Sequence, residues 1–170
     1  MAHAVFRSDL MSGTDVAADL VSLRVYNGTT PIEVDNCTIV ELEGYEEGER
    51  EIRKAKLATA SSELNACAIV ATPEVMHDER LKNLDEFFNE ANAICRGYIP
   101  RPRNMFSVTK EAFVGGTAPT AVGTALSLGA NGKIATSGSG KALGALRAIE
   151  PTSRYTYYVI EITPEAFATA

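Results

Sequence analysis

Residues 121–162, AVGTALSLGANGKIATSGSGKALGALRAIEPTSRYTYYVIEI, break into short apolar segments separated by Gly, Asn and Ser. Segments that short, ended so often by residues that turn the chain, point to strands and tight turns rather than to long helices. Residues 125–128 are followed by Gly129-Ala130-Asn131-Gly132 and then by 133–136. Asn131-Gly132 is the favoured type I′ pair because both residues accept positive φ, so the two flanking segments are expected to form a hairpin. In the last segment Tyr155, Tyr157, Val159 and Glu161 alternate with Thr156, Tyr158, Ile160 and Ile162, the period of two of a strand. Neither face is purely polar, so one is expected to pack against something outside this unit. For 141–148 a helix competes with a strand, with Ala142, Leu143, Ala145, Leu146 and Ile149 on its broad face. Gly144 and the missing strand-helix alternation argue against it.

The rest of the chain reads as additions to this unit. Residues 1–19 show no clean period and are read as an extended N-terminal arm. Its apolar anchors are Val5, Phe6, Leu10 and Met11, suited to lying along a partner's sheet edge. The alternatives are a disordered end or an arm folded back on its own domain. Strand patterns follow at 20–26, 37–42, 51–59, 94–99 and 105–113. The run ACAIVAT, 66–72, is apolar without a break and reads as a central buried strand. Between 75 and 91, Leu81, Leu84, Phe87 and Phe88 form one stripe, which fits a short helix or an extended loop alike. Residues 115–119 are small and rich in breakers. The expected organisation is therefore an arm (1–19), a β-rich domain (20–114), a linker (115–119) and a small C-terminal β-barrel-like domain (120–170). The fold class is mainly β, in two small barrel- or sandwich-like parts with at most one or two short helices.

Composition agrees: Gly is frequent at 13 residues, and aromatics are 7% with no Trp, which suits turn-rich β structure better than a bundle of helices. The net charge of −6 argues against wrapping nucleic acid, since phosphate binding needs a basic face. Arg96, Arg101 and Arg103 around Tyr98 are the one local basic group, read as a solvated loop. Six glutamates fall within the eleven residues 41–51. They lack the alternating Asp/Asn ligands and bend glycine of a Ca²⁺ loop, and Arg50, Arg53, Lys54 and Lys56 compensate them, so a solvated hairpin tip is expected. Cys37, Cys67 and Cys95 have no metal-site spacing and read as reduced, buried thiols of a protein made in a cytoplasm. No apolar run reaches bilayer length and the N-terminus lacks a signal-peptide core, so neither membrane insertion nor export is expected.

Catalytic motifs fail one by one. His3 lies in the arm and His77 in the charged phrase MHDER, so a nucleophile-histidine pair has little to draw on. Gly138-Ser139-Gly140-Lys141 suggests a phosphate loop. However, Ala135 stands where the first Gly is required and Ala142 where Ser or Thr must follow the Lys. Leu143 occupies the third glycine position of a dinucleotide fingerprint. The reading is non-enzymatic, with no catalytic residue, cofactor or metal.

One resemblance remains, carried by Val122-Gly123, Ala125-Leu126, Leu128-Gly129, Gly132-Lys133-Ile134, the small polar run 137–140, Ala142-Leu143-Gly144 and 148–150. This series resembles the small β-barrels of tailed-bacteriophage capsid decoration (cement) proteins, over about a quarter of the chain. Val75–Arg80, Asn83–Phe87 and Phe106–Thr109 also look like a structural-protein module of phages of Gram-positive hosts. The resemblance implies a virion protein on the capsid exterior. It would be made in the host cytoplasm and would stabilise the shell by bridging major capsid protein subunits, with a homotrimer as a possible form on the capsid. Val5, Phe6, Leu10 and Met11, with Tyr155, Tyr157 and Tyr158, are the expected contact residues. A head fibre or tail-associated subunit is the alternative within structural proteins, and a carbohydrate- or host-binding module is the alternative outside them. Tyr98, Tyr155 or Tyr157 exposed around a pocket would favour the latter.

Overall fold

A computed structural model describes residues 3–7, 19–75, 83–136, 138 and 140–168. The architecture is mainly β, with a closed five-strand barrel and a second sheet curled into a half-barrel. The barrel is built from β2 (Leu20–Asn27), β4 (Ile39–Tyr45), β5 (Ile52–Leu57), β6 (Cys67–Val70) and β7 (Cys95–Tyr98); the two-residue β3 (Thr30–Pro31) hangs on β2. The order is β3-β2-β5-β4-β6-β7, and a β2–β7 pairing closes the ring. β2 and β5 run parallel, with Leu23 opposite Arg53 and Val25 opposite Ala55; the other barrel pairings are antiparallel.

The uninterrupted apolar run expected at 66–72 is explained by this geometry. All four residues of β6 are buried. Ala68 and Val70 point into the barrel with Leu23, Val25, Val40, Ala55 and Cys95. Cys67 and Ile69 point outward, with Ile39, into a second core shared with the half-barrel. A strand buried on both faces has no polar face to alternate with. The barrel interior is narrow. A Cβ added to Gly97 would lie 2.6 Å from Leu23 Cδ2 and 3.2 Å from Ala68 Cβ.

The second sheet has the order β1-β8-β12-β11-β9-β10. Its strands are β1 (Phe6–Arg7), β8 (Met105–Val108), β9 (Ala125–Leu128), β10 (Ile134–Ala135), β11 (Ala142–Pro151) and β12 (Thr156–Ile162). Residues 142–151 are therefore strand and not helix. The register with β9 shifts between Ala142 and Gly144, and on the other side Gly144, having no Cβ, lets the backbone of β12 at Glu161 approach closely. The expected hairpin is present: β9 and β10 pair antiparallel, Leu128 opposite Ile134. Asn131 (φ 56°) and Gly132 (φ 69°) both take the left-handed conformation that a type I′ turn needs.

The two sheets are joined by more than the 115–119 stretch. β8, which precedes that stretch, pairs with β12, and β1 pairs with β8. Ala118 itself packs on the shared core. That core runs from Phe6, Phe106 and Val108 through Leu126, Leu128, Ile134 and Leu143 to Ile160 and Ile162. β8 is shorter than the 105–113 expected, because the chain turns into a single 3-10 turn at Lys110–Ala112. Within 75–91 the described helical content is one 3-10 turn, Leu84–Glu86.

Candidate functional site

Two of the four arm residues expected to meet a partner are covered by this chain itself. Val5 and Phe6 are 1% and 6% exposed, and Phe6 stacks on Phe106 with ring centres 5.5 Å apart. Apolar side chains next to the edge of a sheet are buried by the nearest apolar surface, and here that surface is their own core. Residues 3–7 thus follow the folded-back alternative rather than the extended arm. Leu10 and Met11 lie outside the described residues. On β12, Tyr157 is buried at 8% exposure, while Tyr158 and its neighbour Tyr155 are half-buried, Tyr158 edge-on to Phe113.

Tyr155 stands where several loops converge. Its hydroxyl donates to Asp85 Oδ1 over 2.8 Å, and Arg154 Nε donates to the Tyr155 oxygen over 2.8 Å. The Arg154 guanidinium also sits 5.4 Å from the ring centre and 3.5 Å from Asp85. The Tyr155 hydrogen bond, with help from Arg154, holds the Asp85 carboxyl below the usual carboxylate range. Desolvation, followed by the same carboxylate, raises the Tyr155 phenol. Asp85 is presented by the 84–86 turn, which the Glu86 side chain fastens by accepting from the Asn83 amide at 2.8 Å.

The start of the chain is locked to the same place. The His3 amide donates to Asp85 O over 2.8 Å, and the imidazole stacks on Phe88 at 5.0 Å. His3 Nδ1 is 2.7 Å from Asp35 Oδ1, and Lys133 Nζ is 3.2 Å from Asp35 Oδ2. A histidine oriented by a carboxylate is one half of a nucleophile-activating arrangement. Here the carboxylate is shared with Lys133 and the ring is laid on Phe88, so the pair acts as a clamp on residues 3–7. Burial pushes the thiols of Cys37 and Cys67 up to about 12 and that of Cys95 up to about 11, so all three stay protonated near neutral pH. Among the described residues, no group of three or more His, Cys, Asp and Glu side chains is placed to hold a metal ion. No helix among them is long and apolar enough to cross a membrane.

Sequence reading missed a second feature nearby, an apolar groove between the extended segment after β6 and the loop before β7. It is lined by Pro73 and Val75 of the first, Ala93 and Ile94 of the second, and Phe87 and Phe88. Val75 is 76% exposed and Ile94 50%. Phe87 and Phe88 belong to the apolar stripe read between 75 and 91, but Pro73, Val75, Ala93 and Ile94 carry no period. Only the fold brings them together. Comparison with protein-family models, with curated proteins and with solved structures returned no match.

Proposed function

We propose that the protein is a virion structural protein that decorates the exterior of a tailed-phage capsid and stabilises it by bridging major capsid protein subunits. One observation carries the reading. The residues between Val122 and Glu150 that resemble the decoration-protein pattern are not scattered. Ala125-Leu126 and Leu128 lie on β9, Ile134 on β10, and Ala142-Leu143-Gly144 with 148–150 on β11, neighbours in one sheet, and β12 follows as the next strand beside β11. The small residues of the pattern have a physical use there. Gly129 and Gly144 lie against backbone that a side chain would strike, and Gly132 seats the hairpin tip on the barrel. The result is a rigid β body joined to a closed barrel, suited to bearing load between neighbouring shell subunits.

Attachment in many copies to a symmetric lattice lets weak contacts add up, and a trimer at local three-fold points would serve that purpose. The carbohydrate-binding alternative asked for exposed tyrosines around a pocket. Tyr98 and Tyr157 are 9% and 8% exposed, and the Tyr155 hydroxyl is engaged by Asp85. The test is gradient fractionation of particles with quantitative mass spectrometry of this chain against the main shell protein. Co-sedimentation with DNA-filled heads at hundreds of copies is expected. A few copies per particle would instead mark a head-fibre or tail component, and absence from particles would refute a virion role.

A further inference from the structure

The groove lined by Pro73, Val75, Ala93 and Ile94 has three properties of a binding site. It is preformed, because Asn89, one of its lining residues, is pinned to the barrel side of the fold. Asn89 exchanges backbone hydrogen bonds with Val34, and its side-chain amide donates to Val34 O at 3.1 Å and to Asn36 Oδ1 at 3.2 Å. Asn36 in turn holds Thr72, another lining residue, with bonds of 2.9 and 3.0 Å. A site that need not be ordered on binding loses less affinity to entropy. Its apolar lining is wet, Val75 and Ile94 being two of the most exposed large hydrophobic side chains among the described residues.

The third property is charge. Two carboxylates, Glu86 and Glu90, are the charged side chains among the described residues that line the groove. Both glutamates are exposed, so their charges reach an approaching partner. The chain as a whole carries −6, which adds to the same field.

We propose that this groove docks a peptide segment of a partner protein bearing one or two aliphatic anchor side chains flanked by lysine or arginine. The anchors fill the slot between Val75 and Ile94 over Phe87, and the flanking cations meet Glu86 and Glu90. Burying the anchors supplies affinity, and the carboxylates reject acidic segments. The inference does not depend on the partner being a capsid protein. A failure of the shell reading leaves it standing, and its own failure leaves the shell reading untouched.

The experiment uses the full chain and two capped synthetic peptides with the same leucine anchors, one flanked by lysines and the other by glutamates. Binding is followed by titration with methyl NMR at moderate salt. The lysine peptide is expected to shift the Val75 and Ile94 methyl signals and to bind on the order of tenfold or more tighter than the glutamate peptide. Glu90→Lys, at an exposed position, should narrow that preference. Ile94→Asp should abolish the shifts while circular dichroism stays unchanged. Equal affinity for the two peptides would overturn the proposal, as would binding that survives Ile94→Asp. Concentration-dependent self-association that Ile94→Asp removes would also overturn it, by making a second copy of this chain the occupant.

Discussion

The amide of Gly132 donates to the carbonyl of Ala58 over 2.9 Å, tying the tip of the β9–β10 hairpin to the end of barrel strand β5. The contact is tight. A Cβ at this position would collide with Ile39 O and lie 2.8 Å from Thr38 Cγ2. Gly132→Ala therefore meets two penalties, a positive φ and a clash with backbone, each about 1–3 kcal/mol. Gly132→Val should be worse, because a branched side chain resists that φ still more. Urea unfolding should show both losses, and a midpoint unchanged in Gly132→Ala would mean that the hairpin tip does not sit on the barrel.

Gly97 makes a different kind of demand, since its backbone is not left-handed and its constraint is space alone. Gly97→Ala should destabilise by about 1–3 kcal/mol through overpacking of the barrel interior. The first atom met, Leu23 Cδ2, is the end of a side chain. Leu23→Val should therefore cost less in the Gly97→Ala background than alone. A double-mutant cycle with no coupling energy would contradict the facing of these two residues.

Phe6 tests the placement of the N-terminal segment. Removing an arm that served only as an attachment device would leave the fold intact. With Ala4, Val5 and Phe6 buried, deletion of residues 1–7 should instead lower thermal stability sharply, and Phe6→Ala alone should cost about 3–5 kcal/mol. Wild-type stability in either variant would return these residues to the role of a free arm.

The three buried thiols predict a pH dependence. Their folded values, about 12, 12 and 11, lie above the ~8.5 of an exposed thiol. The unfolded chain therefore gives up these protons first as pH rises, and the native state retains them. The thiol contribution is fully present below about pH 8.5 and is lost above it, by up to about 1.4 kcal/mol per pH unit for each thiol. Urea midpoints between pH 8 and 10 should fall, and Cys95→Ala should flatten the slope by about one third of the thiol share. Native protein should also leave all three thiols unreactive toward a disulfide reagent at pH 8. Rapid labelling would show that they are not enclosed.

Legibility followed the range over which each signal acts. The 125–136 hairpin was readable because Asn131-Gly132 states its own backbone conformation, and the central strand because ACAIVAT leaves no polar face. β11 was ambiguous because Ala, Leu and Gly suit a helix stripe and a strand equally. Its pairing with β12, with Gly144 opposite Ile162, decides the matter. The parallel β2–β5 pair was invisible, since nothing local in LVSLRVYN or IRKAKL specifies a neighbour. Cys37 adopts φ 69° with its amide bonded to Val70 O. A cysteine carries none of the cues that Gly or Asn would offer there. Val5 and Phe6 read as anchors for a partner because an apolar pair says only that it will be covered and not by which surface. The groove residues Val75 and Ile94 escaped notice for the same reason, as their relation exists only across the fold.

β1 lies next to β8, and β8 next to β12. In a growing chain, β1 emerges from the ribosome well before its partner β8, while the barrel strands of residues 20–98 can close as soon as β7 is out. The first strand must therefore wait, unpaired and with Phe6 uncovered, until the strand that receives it has been made. A strand made so long before its partner stays open in the meantime, and that interval is when this chain is most open to mispairing with another copy of itself.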